Sequence, residues 1–321
     1  MESKYLLSIC IPTWNRARFL RKSLDSFVER FFEIEADMVE LIVSDNCSDD
    51  DTESVVQEYT NKGLPIRYNR NEQNIGADGN FLKCMGISQG KYIFLLGDDD
   101  VLVPGSLKLI VDILKSGDFG LVHIHKHKYL KGGIYRYNDI NKFVSQVSYW
   151  ITFMSANIFL KEAVDKIAHP EYYLKTNLLQ VPFYIESSIL REENLIVSKS
   201  IITPMDNKGN GGYNFYKVFL RNYLEIWNSY RLIGNISSRC YQSLKRKLLF
   251  GQLLNNNWTL LVLHKNVAAE NKDGRETRDG YIIEGAWKML FKYYGKNLYF
   301  YFSLLIMPLL VTYRLCKTNM K

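Results

Sequence analysis

Residues 92–100 read YIFLLGDDD, an apolar run that stops on three consecutive carboxylates, Asp98, Asp99 and Asp100. The apolar part is typical of a buried strand. Adjacent carboxylates repel one another and resist desolvation, so a strand would not carry three of them at its end for stability alone. Hard oxygen ligands in this position suit Mg²⁺ or Mn²⁺, and such a cation suits a diphosphate. On this stretch alone, a solvated acidic turn is the alternative.

Upstream of the acids, short apolar runs alternate with segments of helical apolar spacing. The runs lie at residues 8–12, 39–43, 66–68 and 92–96. The segments between them carry apolar residues at helical intervals and are preceded by small polar residues suited to turns and helix caps. Four strands with helices between them predict an open, mostly parallel α/β sheet.

In such a sheet the ligand lies outside the carboxyl ends of the strands, so the polar residues that follow each strand converge in space. Those residues are 13–16, 45–49, 74–76 and 98–100. A carboxylate such as Asp45 can accept a hydrogen bond from a nucleotide base, whereas Arg16 can neutralise phosphate. The chain has no Gly-x-Gly-x-x-Gly in its first strand-to-helix turn and no Gly-x-x-x-x-Gly-Lys-Ser/Thr loop, which disfavours dinucleotide and P-loop enzymes.

Four motifs together resemble the nucleotide-sugar domain of glycosyltransferase family 2. They are SICIPTWNR at residues 8–16, IVSDNCSD at 42–49, Asn74-Ile75-Gly76 with Asn80, and GDDD at 97–100. The resemblance covers the first third of the chain firmly. It implies a GT-A fold, a nucleoside-diphosphate sugar donor with UDP preferred, Mn²⁺ or Mg²⁺ bound by an Asp-x-Asp motif, and inverting transfer. The Gly-Asp-Asp-Asp variant is most similar to bacterial O-antigen and capsule enzymes, including the abequosyltransferase-like group.

The resemblance also implies roles for individual residues. Asp45 would read the base, Asp98 and Asp100 would bind the metal with Asp100 in direct contact, and Asp99 would contact the ribose or support the metal ligands. Gly97 stands where an aspartate is common, which leaves the choice among the three acids open. The implied nucleotide-sugar-binding residues are Pro12, Thr13, Asn15, Arg16, Asp45, Asn46, Asn74, Gly76, Asn80, Asp98 and Asp99.

The base that deprotonates the acceptor hydroxyl is less well specified. Related enzymes supply it from an acidic pair on a helix in the second half, but the equivalent residues 179–181 read Leu-Gln-Val. Glu186, about one and a half helical turns further on, is the first candidate, although it also fits an ordinary helix carboxylate. Asp206 is the second candidate, and Gln180 could orient the acceptor without acting as a base.

Three histidines alternate along residues 121–127, and a strand would present His123, His125 and His127 on one face. Three imidazoles could bind zinc or act as a base. Strand positions two apart are separated by roughly 7 Å, so a polar strand facing the acceptor is the preferred interpretation.

Composition indicates a folded protein with reduced thiols. The chain has 321 residues, of which 47% are hydrophobic, enough for a large core. Its five cysteines are scattered without a Cys-x-x-Cys, which favours a cytoplasmic setting. Residues 1–7 carry charges and run directly into the first strand, so no signal peptide is expected.

Charged residues are distributed unevenly along the chain. Residues 211–321 hold 17 Lys and Arg against 6 Asp and Glu. We therefore expect a nucleotide-sugar and acceptor domain at residues 1–211 and a helical, basic region at 212–321. No nucleic-acid-binding module is recognisable in this basic region, so nucleic acid is not an expected partner.

The basic region ends in an uncharged segment, residues 297–313, which is interrupted by Pro308. It is slightly short for a spanning helix, which takes about 20 residues. Aromatic residues between basic flanks favour a segment lying on the anionic inner membrane surface, and a helix packed on its own domain is the alternative.

The sequence therefore predicts an inverting, metal-dependent glycosyltransferase of surface polysaccharide biosynthesis, of the O-antigen or capsule type. We expect its acceptor to be a glycan on a polyprenyl diphosphate and its location to be peripheral, at the inner face of the cell membrane. The alternative is a non-catalytic, membrane-attached subunit that binds nucleotide-sugar or glycan, since the acidic pair is missing. A nucleotidyltransferase would normally show a Gly-rich, basic loop after its first strand, and Pro12-Thr13-Trp14-Asn15 is not one.

Overall fold

The computed structural model describes residues 3–28, 30–35, 37–205, 212–264, 267 and 280–318. The chain divides into two compact units, Met1–Asp206 and Asn207–Lys321.

The first unit is built on an eight-stranded sheet with a separate two-stranded ribbon. The sheet order is β3-β2-β1-β4-β8-β6-β9-β7, and β5 pairs with β10 in the ribbon. The strands are β1 (Tyr5–Thr13), β2 (Val39–Asp45), β3 (Ile66–Arg70), β4 (Gly90–Leu95), β5 (Asp100–Leu102), β6 (Leu121–Ile124), β7 (Ile134–Tyr137), β8 (Asn157–Leu160), β9 (Asn194–Val197) and β10 (Ile202–Pro204).

The sheet is mostly parallel. Strands β3, β2, β1 and β4 are parallel neighbours, and β6 is parallel to β9. Strand β8 lies antiparallel between β4 and β6, and β7 is antiparallel to β9 at the edge. This arrangement confirms the predicted α/β class.

Helices cover both faces of the sheet. The helices of this unit are α1 (Ala17–Val28), α2 (Thr52–Asn61), α3 (Gly76–Ile87), α4 (Ser106–Lys115), α5 (Ile140–Val147), α6 (Glu162–Lys166) and α7 (Gln180–Leu190). Short 3₁₀ turns lie at Arg30–Glu33, Ser148–Thr152, Met154–Ala156 and Pro170–Tyr173.

The central strand β1 shows why both faces are covered. Its alternate residues Leu7, Ile9 and Ile11 belong to one hydrophobic core, to which α1, α2 and α4 also contribute. On the opposite face, the Cys10 thiol contacts the Ser88 hydroxyl just after α3, with 3.2 Å between Sγ and Oγ. A strand buried on both faces needs a nearly continuous apolar sequence, which is what β1 has.

The second unit is helical, as predicted for the C-terminal region. Its α-helices are α8 (Tyr223–Leu232), α9 (Ser238–Leu248), α10 (Leu254–Asn256), α11 (Ala286–Tyr294) and α12 (Leu298–Thr318). Three π-helical segments lie at Lys217–Asn222, Leu249–Leu253 and Asn257–Val262.

Candidate functional site

The end of β1 and the end of β4 are joined by an ion-pair cluster. The Arg16 guanidinium donates from Nε to the Asp98 carboxylate at 2.8 Å, and its Nη2 lies 2.8 Å from Asp99 Oδ2. The Thr13 hydroxyl donates to Asp98 Oδ2 at 2.8 Å. The planar guanidinium fork can hold two carboxylates at once, which a lysine ammonium cannot do with the same geometry. Arg16 therefore fixes the first two of the three acids.

The third acid has a different environment. The Asp100 carboxylate is buried and accepts a hydrogen bond from the Ser155 side chain. Within the described part of the chain, no basic side chain forms an ion pair with it. Asp100 also begins β5, which pairs with β10, and Pro204 is its partner in that ribbon.

Burial raises the pKa of the Asp98 carboxyl to about 6, although Arg16 and Thr13 oppose the shift. Burial likewise raises the pKa of Asp100 to about 6, and the neighbouring charge of Asp99 adds to the shift while the Ser155 hydrogen bond opposes it. One guanidinium thus does not compensate three clustered carboxylates. The cluster has an excess of negative charge that a bound cation would relieve.

Gly97 makes room for these carboxylates. A Cβ at position 97 would lie 2.9 Å from Asp100 Oδ2, closer than real Cβ contacts, and 3.0 Å from Asp99 Oδ1, tighter than most of them. The Gly97 N–H also donates to the Ser155 hydroxyl at 2.9 Å. The glycine therefore lets both carboxylates fold back over the end of β4.

This cradle fits a divalent cation that shares its ligands with a diphosphate. Among the described residues, no group of three or more His, Cys, Asp or Glu side chains is arranged to hold a metal ion without other ligands. Mg²⁺ in particular is commonly held by one or two carboxylates together with substrate phosphates and water. Asp100, with its hard oxygens and without an ion-pair partner, suits that role, whereas the Asp98 oxygens are engaged by Arg16 and Thr13.

Asp45 lies at the end of β2 and is fully buried. Its Oδ1 accepts from the Ser48 N–H at 2.9 Å, and its Oδ2 accepts from the Tyr68 hydroxyl at 2.7 Å. Arg70 Nε lies 3.5 Å from the same Oδ2. A carboxylate offers about four lone-pair sites, so these contacts orient Asp45 without exhausting its capacity to accept from a ligand.

Asparagine side chains connect the loops after β2 and β3. Asn46 donates to Asn74 Oδ1 at 2.8 Å and accepts from the Ile75 N–H at 3.0 Å. Asn80 donates to the Ser44 carbonyl at 2.8 Å, and its Oδ1 accepts from the Ser44 hydroxyl. Their polar groups bond to the protein itself, so in this structure Asn46 and Asn80 shape the loops.

Two residues in these loops adopt the left-handed backbone conformation. Gly76 begins α3 with a φ of 78°, and its N–H donates to Asn74 Oδ1 at 2.8 Å. Asn15 has a φ of 51°, accepts from the Asp49 N–H at 2.9 Å and donates its own N–H to Ser48 Oγ at 2.8 Å. Asn15 thus ties the loop after β1 to the loop after β2, while Pro12 lies buried within β1.

The segment at β10 contacts the acids directly. The Met205 N–H donates to the Asp99 carbonyl at 2.9 Å. Asp206, the second candidate base, is the next residue in the sequence and lies outside the described residues.

Helix α7 carries two candidate residues, Gln180 at its first position and Glu186 near its middle. Gln180, in the first turn, donates to the Thr152 carbonyl at 3.3 Å, and its buried Oε1 has no hydrogen-bond partner among the described residues. Ser187, the neighbour of Glu186, accepts from the N–H of Leu160, which pairs with Tyr92 near the start of β4. Since the strand rises about 3.3 Å per residue, that part of α7 is roughly 16 Å from Gly97 along β4. Glu186 as the base stays a prediction.

The three histidines cluster, although β6 is shorter than predicted and ends at Ile124. Their ring centroids are 5.1 to 6.3 Å apart. His123 is fully buried, with Nδ1 2.8 Å from Asn157 Oδ1, and burial lowers its pKa to about 3. The His125 ring lies 4.1 Å from the Trp150 ring, and its pKa is lowered by burial. The pair borders the Met154–Ala156 turn, which contains Ser155.

Sequence reasoning missed the supporting partners of the acids. Ser155 is 55 residues away from Asp100, whose carboxylate it contacts, and Met205 is more than 100 residues away from Asp99, whose carbonyl it contacts. Tyr68 is an ordinary strand aromatic by its sequence neighbours, yet its hydroxyl bonds to Asp45. No local pattern marks such partners.

Comparison with protein families yields one match that covers half of the chain. The family described as Glycosyl transferase family 2 matches residues 8–172. That range contains most of β1, all of β2 to β4, all four predicted motifs and the Ser155 turn.

Two curated relatives match the N-terminal part. Abequosyltransferase RfbV of Salmonella typhimurium is 37% identical over 113 residues, which is 35% of this chain and 33% of that protein. The GalNAc(5)-diNAcBac-PP-undecaprenol beta-1,3-glucosyltransferase of Campylobacter jejuni is 34% identical over 112 residues, 35% of each chain. The matched segment thus spans about a third of the length of these relatives.

Two solved structures share the fold over most of the chain. Residues 1–349 of S. aureus TarS, in complex with UDP-GlcNAc, superpose with a TM-score of 0.60 at 17% identity, covering 80% of this chain and 76% of that one. The mannosyltransferase PcManGT of Pyrobaculum calidifontis, in complex with GDP-Man and Mn²⁺, gives a TM-score of 0.56 at 14% identity, covering 80% and 72%. At these identities the likeness concerns the fold, which is the predicted GT-A-like one.

Proposed function

The chain belongs to glycosyl transferase family 2, and on that premise we propose that it transfers a sugar from a nucleoside-diphosphate donor to a glycan. The reaction is inverting: the acceptor oxygen attacks the anomeric carbon while the bond from that carbon to the diphosphate breaks on the opposite face. The acceptor proton passes to a base, and the nucleoside diphosphate leaves.

One observation carries this proposal. Arg16 holds Asp98 and Asp99, Ser155 orients Asp100, and Gly97 leaves space for the acids at the end of β4. Such an arrangement keeps negative oxygens clustered in a buried place, which is costly unless a ligand compensates them. A cation with a diphosphate is the ligand that fits.

We propose that Asp100 would bind Mn²⁺ or Mg²⁺ directly, and that Asp98, which Arg16 and Thr13 hold in place, would be the second carboxylate of the metal site. When bound, the cation neutralises the charge that develops on the departing diphosphate. Arg16 keeps the two neighbouring carboxylates in place, and Thr13 restricts Asp98 to one orientation. PcManGT, which shares the fold, was observed with Mn²⁺, and this supports the choice of cation.

The nucleoside is proposed to lie along the loops after β1, β2 and β3. Asp45, held by Ser48 and Tyr68, would accept from the base, and a uracil N–H is a suitable donor. The asparagine network keeps the loop at Gly76 close to this carboxylate. UDP is our preferred donor nucleotide, and TarS with UDP-GlcNAc supports it through the shared fold.

The acceptor is proposed to enter beside Ser155, between Gln180 and the His125–Trp150 pair. Of the two candidate bases we favour Asp206, because it follows the segment that bonds to Asp99, whereas Glu186 is next to Ser187, which contacts Leu160. Gln180 cannot act as a base, but its unpartnered Oε1 can accept from an acceptor hydroxyl.

The biological acceptor we propose is a growing surface glycan carried on a polyprenyl diphosphate, of the O-antigen or capsule type. The names of the Salmonella and Campylobacter relatives, an abequosyltransferase and a glucosyltransferase acting on a PP-undecaprenol glycan, support this class. A carrier of that kind places the enzyme in the cytoplasm, at the inner face of the cell membrane.

The donor site is tested by thermal unfolding with Mn²⁺ and a panel of UDP, GDP, CDP and dTDP. At 100 times Kd a ligand stabilises by about 2.7 kcal/mol, which raises the melting temperature of a unit of this size by roughly 5–10 °C. We expect this shift with UDP and Mn²⁺ together, and its loss in Asp100→Asn. The matched control is Asp112→Asn, an exposed carboxylate on α4 paired with Lys108. No shift with any nucleotide would refute the donor site.

The base is tested by comparing sugar transfer with donor binding. Asp206→Asn should abolish transfer while the UDP–Mn²⁺ shift persists, and Glu186→Gln should preserve both. Loss of transfer in Glu186→Gln alone would reverse this assignment.

A non-catalytic binding subunit is the second candidate function, favoured by Gln180 at the position where an acid was expected. The two functions differ in turnover. Mn²⁺-dependent release of UDP from UDP-sugar, with or without an acceptor, supports the enzyme, whereas tight donor binding without any turnover supports the subunit.

A further inference from the structure

Helix α12 has two apolar faces, of which one is buried. Phe300, Ser303 and Met307 point inward, at the spacing expected for one side of a helix. On the other side, Leu298, Phe302 and Leu305 are 88%, 58% and 73% exposed. A surface helix normally presents polar residues there, so the outward face of α12 needs an explanation.

Helix α11 continues this exposed apolar surface. Its Trp287 and Phe291 are exposed, lie one turn apart and have ring centroids separated by 6.4 Å. The Phe291 ring also contacts the inward Phe300 of α12 edge to face at 5.4 Å, so the two helices are packed together. We call Trp287, Phe291, Leu298, Tyr301, Phe302 and Leu305 the α11–α12 face.

Positive charge borders this face, and neither α11 nor α12 carries an acidic residue, while Glu225 of α8 accepts a hydrogen bond from the Tyr293 hydroxyl. Lys288 and Lys292 are exposed on α11, each next in sequence to an aromatic residue of the face, and Lys296 is exposed in the turn before α12. Residues 285–321 contain six Lys and Arg and no Asp or Glu. The combination is typical of helices that lie in the interface of an anionic bilayer, with aromatic rings at the headgroup level and lysines reaching the lipid phosphates.

We propose that the α11–α12 face is the docking surface of this protein for an anionic lipid bilayer. The proposal assigns specific residues to the membrane association proposed above. It can be tested independently of sugar transfer. Among the described residues, no helix is long and apolar enough to cross a bilayer. In this proposal the face lies on the membrane, with its apolar side chains in the headgroup and upper acyl region.

Charge favours lipid over a second copy of the chain as the occupant. In a two-fold dimer through this face, the same surface would meet itself. Lys288, Lys292 and Lys296 of one copy would then lie near those of the other, without acids on the same helices to compensate them. Anionic lipid supplies the opposite charge at high density.

The test is cosedimentation of the full-length protein with vesicles of phosphatidylcholine alone or with 30% phosphatidylglycerol (~100 mM salt). We expect binding to the anionic vesicles that weakens as salt increases. The double variant Lys288→Gln/Lys292→Gln should lose about 25-fold in affinity for them, since each lysine near the surface contributes about five-fold. The double variant Phe302→Ser/Leu305→Ser should lose at least about ten-fold.

The matched control is Leu232→Ser, which removes a leucine that is 68% exposed on α8 of the same unit. It should bind vesicles like the unaltered chain. Circular dichroism and the UDP–Mn²⁺ thermal shift, measured on the same samples, check that each variant is folded and report separately on the donor site.

Absence of binding to anionic vesicles by the unaltered chain would overturn the proposal. Equal loss in Leu232→Ser would also overturn it, because the apolar contribution would then not be specific to this face. Light scattering distinguishes the other occupant: a dimer that dissociates in Phe302→Ser/Leu305→Ser, without vesicle binding, would assign the face to self-association instead.

Discussion

Gly97→Ala tests whether the acids are held in a cradle that a single methyl group fills. The added Cβ would stand 2.9 Å from Asp100 Oδ2 and 3.0 Å from Asp99 Oδ1. Ordinary contact begins near 3.4 Å, so the two carboxylates must retreat by about 0.4–0.5 Å. Binding sites need their groups held within about 0.5 Å of the productive geometry, so the displacement is large enough to matter.

The expected cost falls on ligand binding more than on folding. The atoms displaced are the ends of side chains, and overpacking of this kind typically destabilises a fold by about 1–3 kcal/mol. Displacing residues that support metal ligands typically lowers metal affinity 10- to 100-fold, or about 1.4–2.8 kcal/mol. We therefore expect Gly97→Ala to remain folded and to need 10 to 100 times more Mn²⁺ for the same UDP-dependent thermal shift.

The assay is a Mn²⁺ titration of the melting temperature at fixed UDP. Gly86→Ala is the matched control, because its Cβ would meet nothing within 4 Å inside α3. Such a change in a helix should stabilise the protein by about 0.4–1 kcal/mol and leave the Mn²⁺ midpoint unchanged. An unaltered Mn²⁺ midpoint in Gly97→Ala would refute the reasoning, since the carboxylates would then have room that the structure does not show.

Substitution of three other side chains in the first unit should change three different properties: stability, the KM for the acceptor, and the pH dependence of stability. Arg16→Ala leaves Asp98 buried without a counter-charge, so urea denaturation should show a loss on the order of 3 kcal/mol. Trp150→Ala removes the ring stacked on His125, and we expect a higher KM for the acceptor with an unchanged UDP–Mn²⁺ shift. His123, buried with a pKa of about 3, stabilises the fold fully above pH 6.5, the ordinary histidine pKa, and this stability is lost as pH falls from 6.5 toward 3. As pH falls from 6.5 toward 3, the urea concentration at the unfolding midpoint should therefore decrease less in His123→Gln than in the unaltered chain.

Each of these outcomes has an opposite that would count against the structure. Full stability of Arg16→Ala would mean that Asp98 is solvated or paired elsewhere. A change in nucleotide binding in Trp150→Ala would move this side chain from the acceptor side to the donor side. An unchanged pH profile in His123→Gln would mean that His123 is protonated equally in the folded and unfolded chains.

Much of the fold was predictable because its signals are local. The spacing of apolar residues specified β1 to β4 and the helices between them, and a parallel sheet follows from that alternation. The site's place at the carboxyl edge follows in turn, since polar residues after successive parallel strands share one edge. The second half of the sheet was not predictable in this way, because β8 inserts antiparallel between β4 and β6.

The sequence identified the residues that form the acidic site. It did not identify the separate roles of the three carboxylates. The residue types of GDDD at 97–100 are enough to indicate a site for a cation and a diphosphate. Which acid is neutralised depends on Arg16, more than 80 residues away, and the orientation of Asp100 depends on Ser155. Packing sets such pairings, and spacing along the chain does not encode them.

Spacing along the sequence likewise does not give the position of a candidate base on a helix relative to the acids. Counting residues placed Glu186 about one and a half turns from the expected position, but the contacts of α7, made by Gln180 with Thr152 and by Ser187 with Leu160, depend on how the helix packs. The α11–α12 face gives a parallel case. Its apolar residues and lysines are plain in the sequence, yet only burial of Phe300, Ser303 and Met307 reveals that Leu298, Phe302 and Leu305 remain outside. Residue chemistry is a property of the chain, whereas proximity and exposure arise when its elements pack.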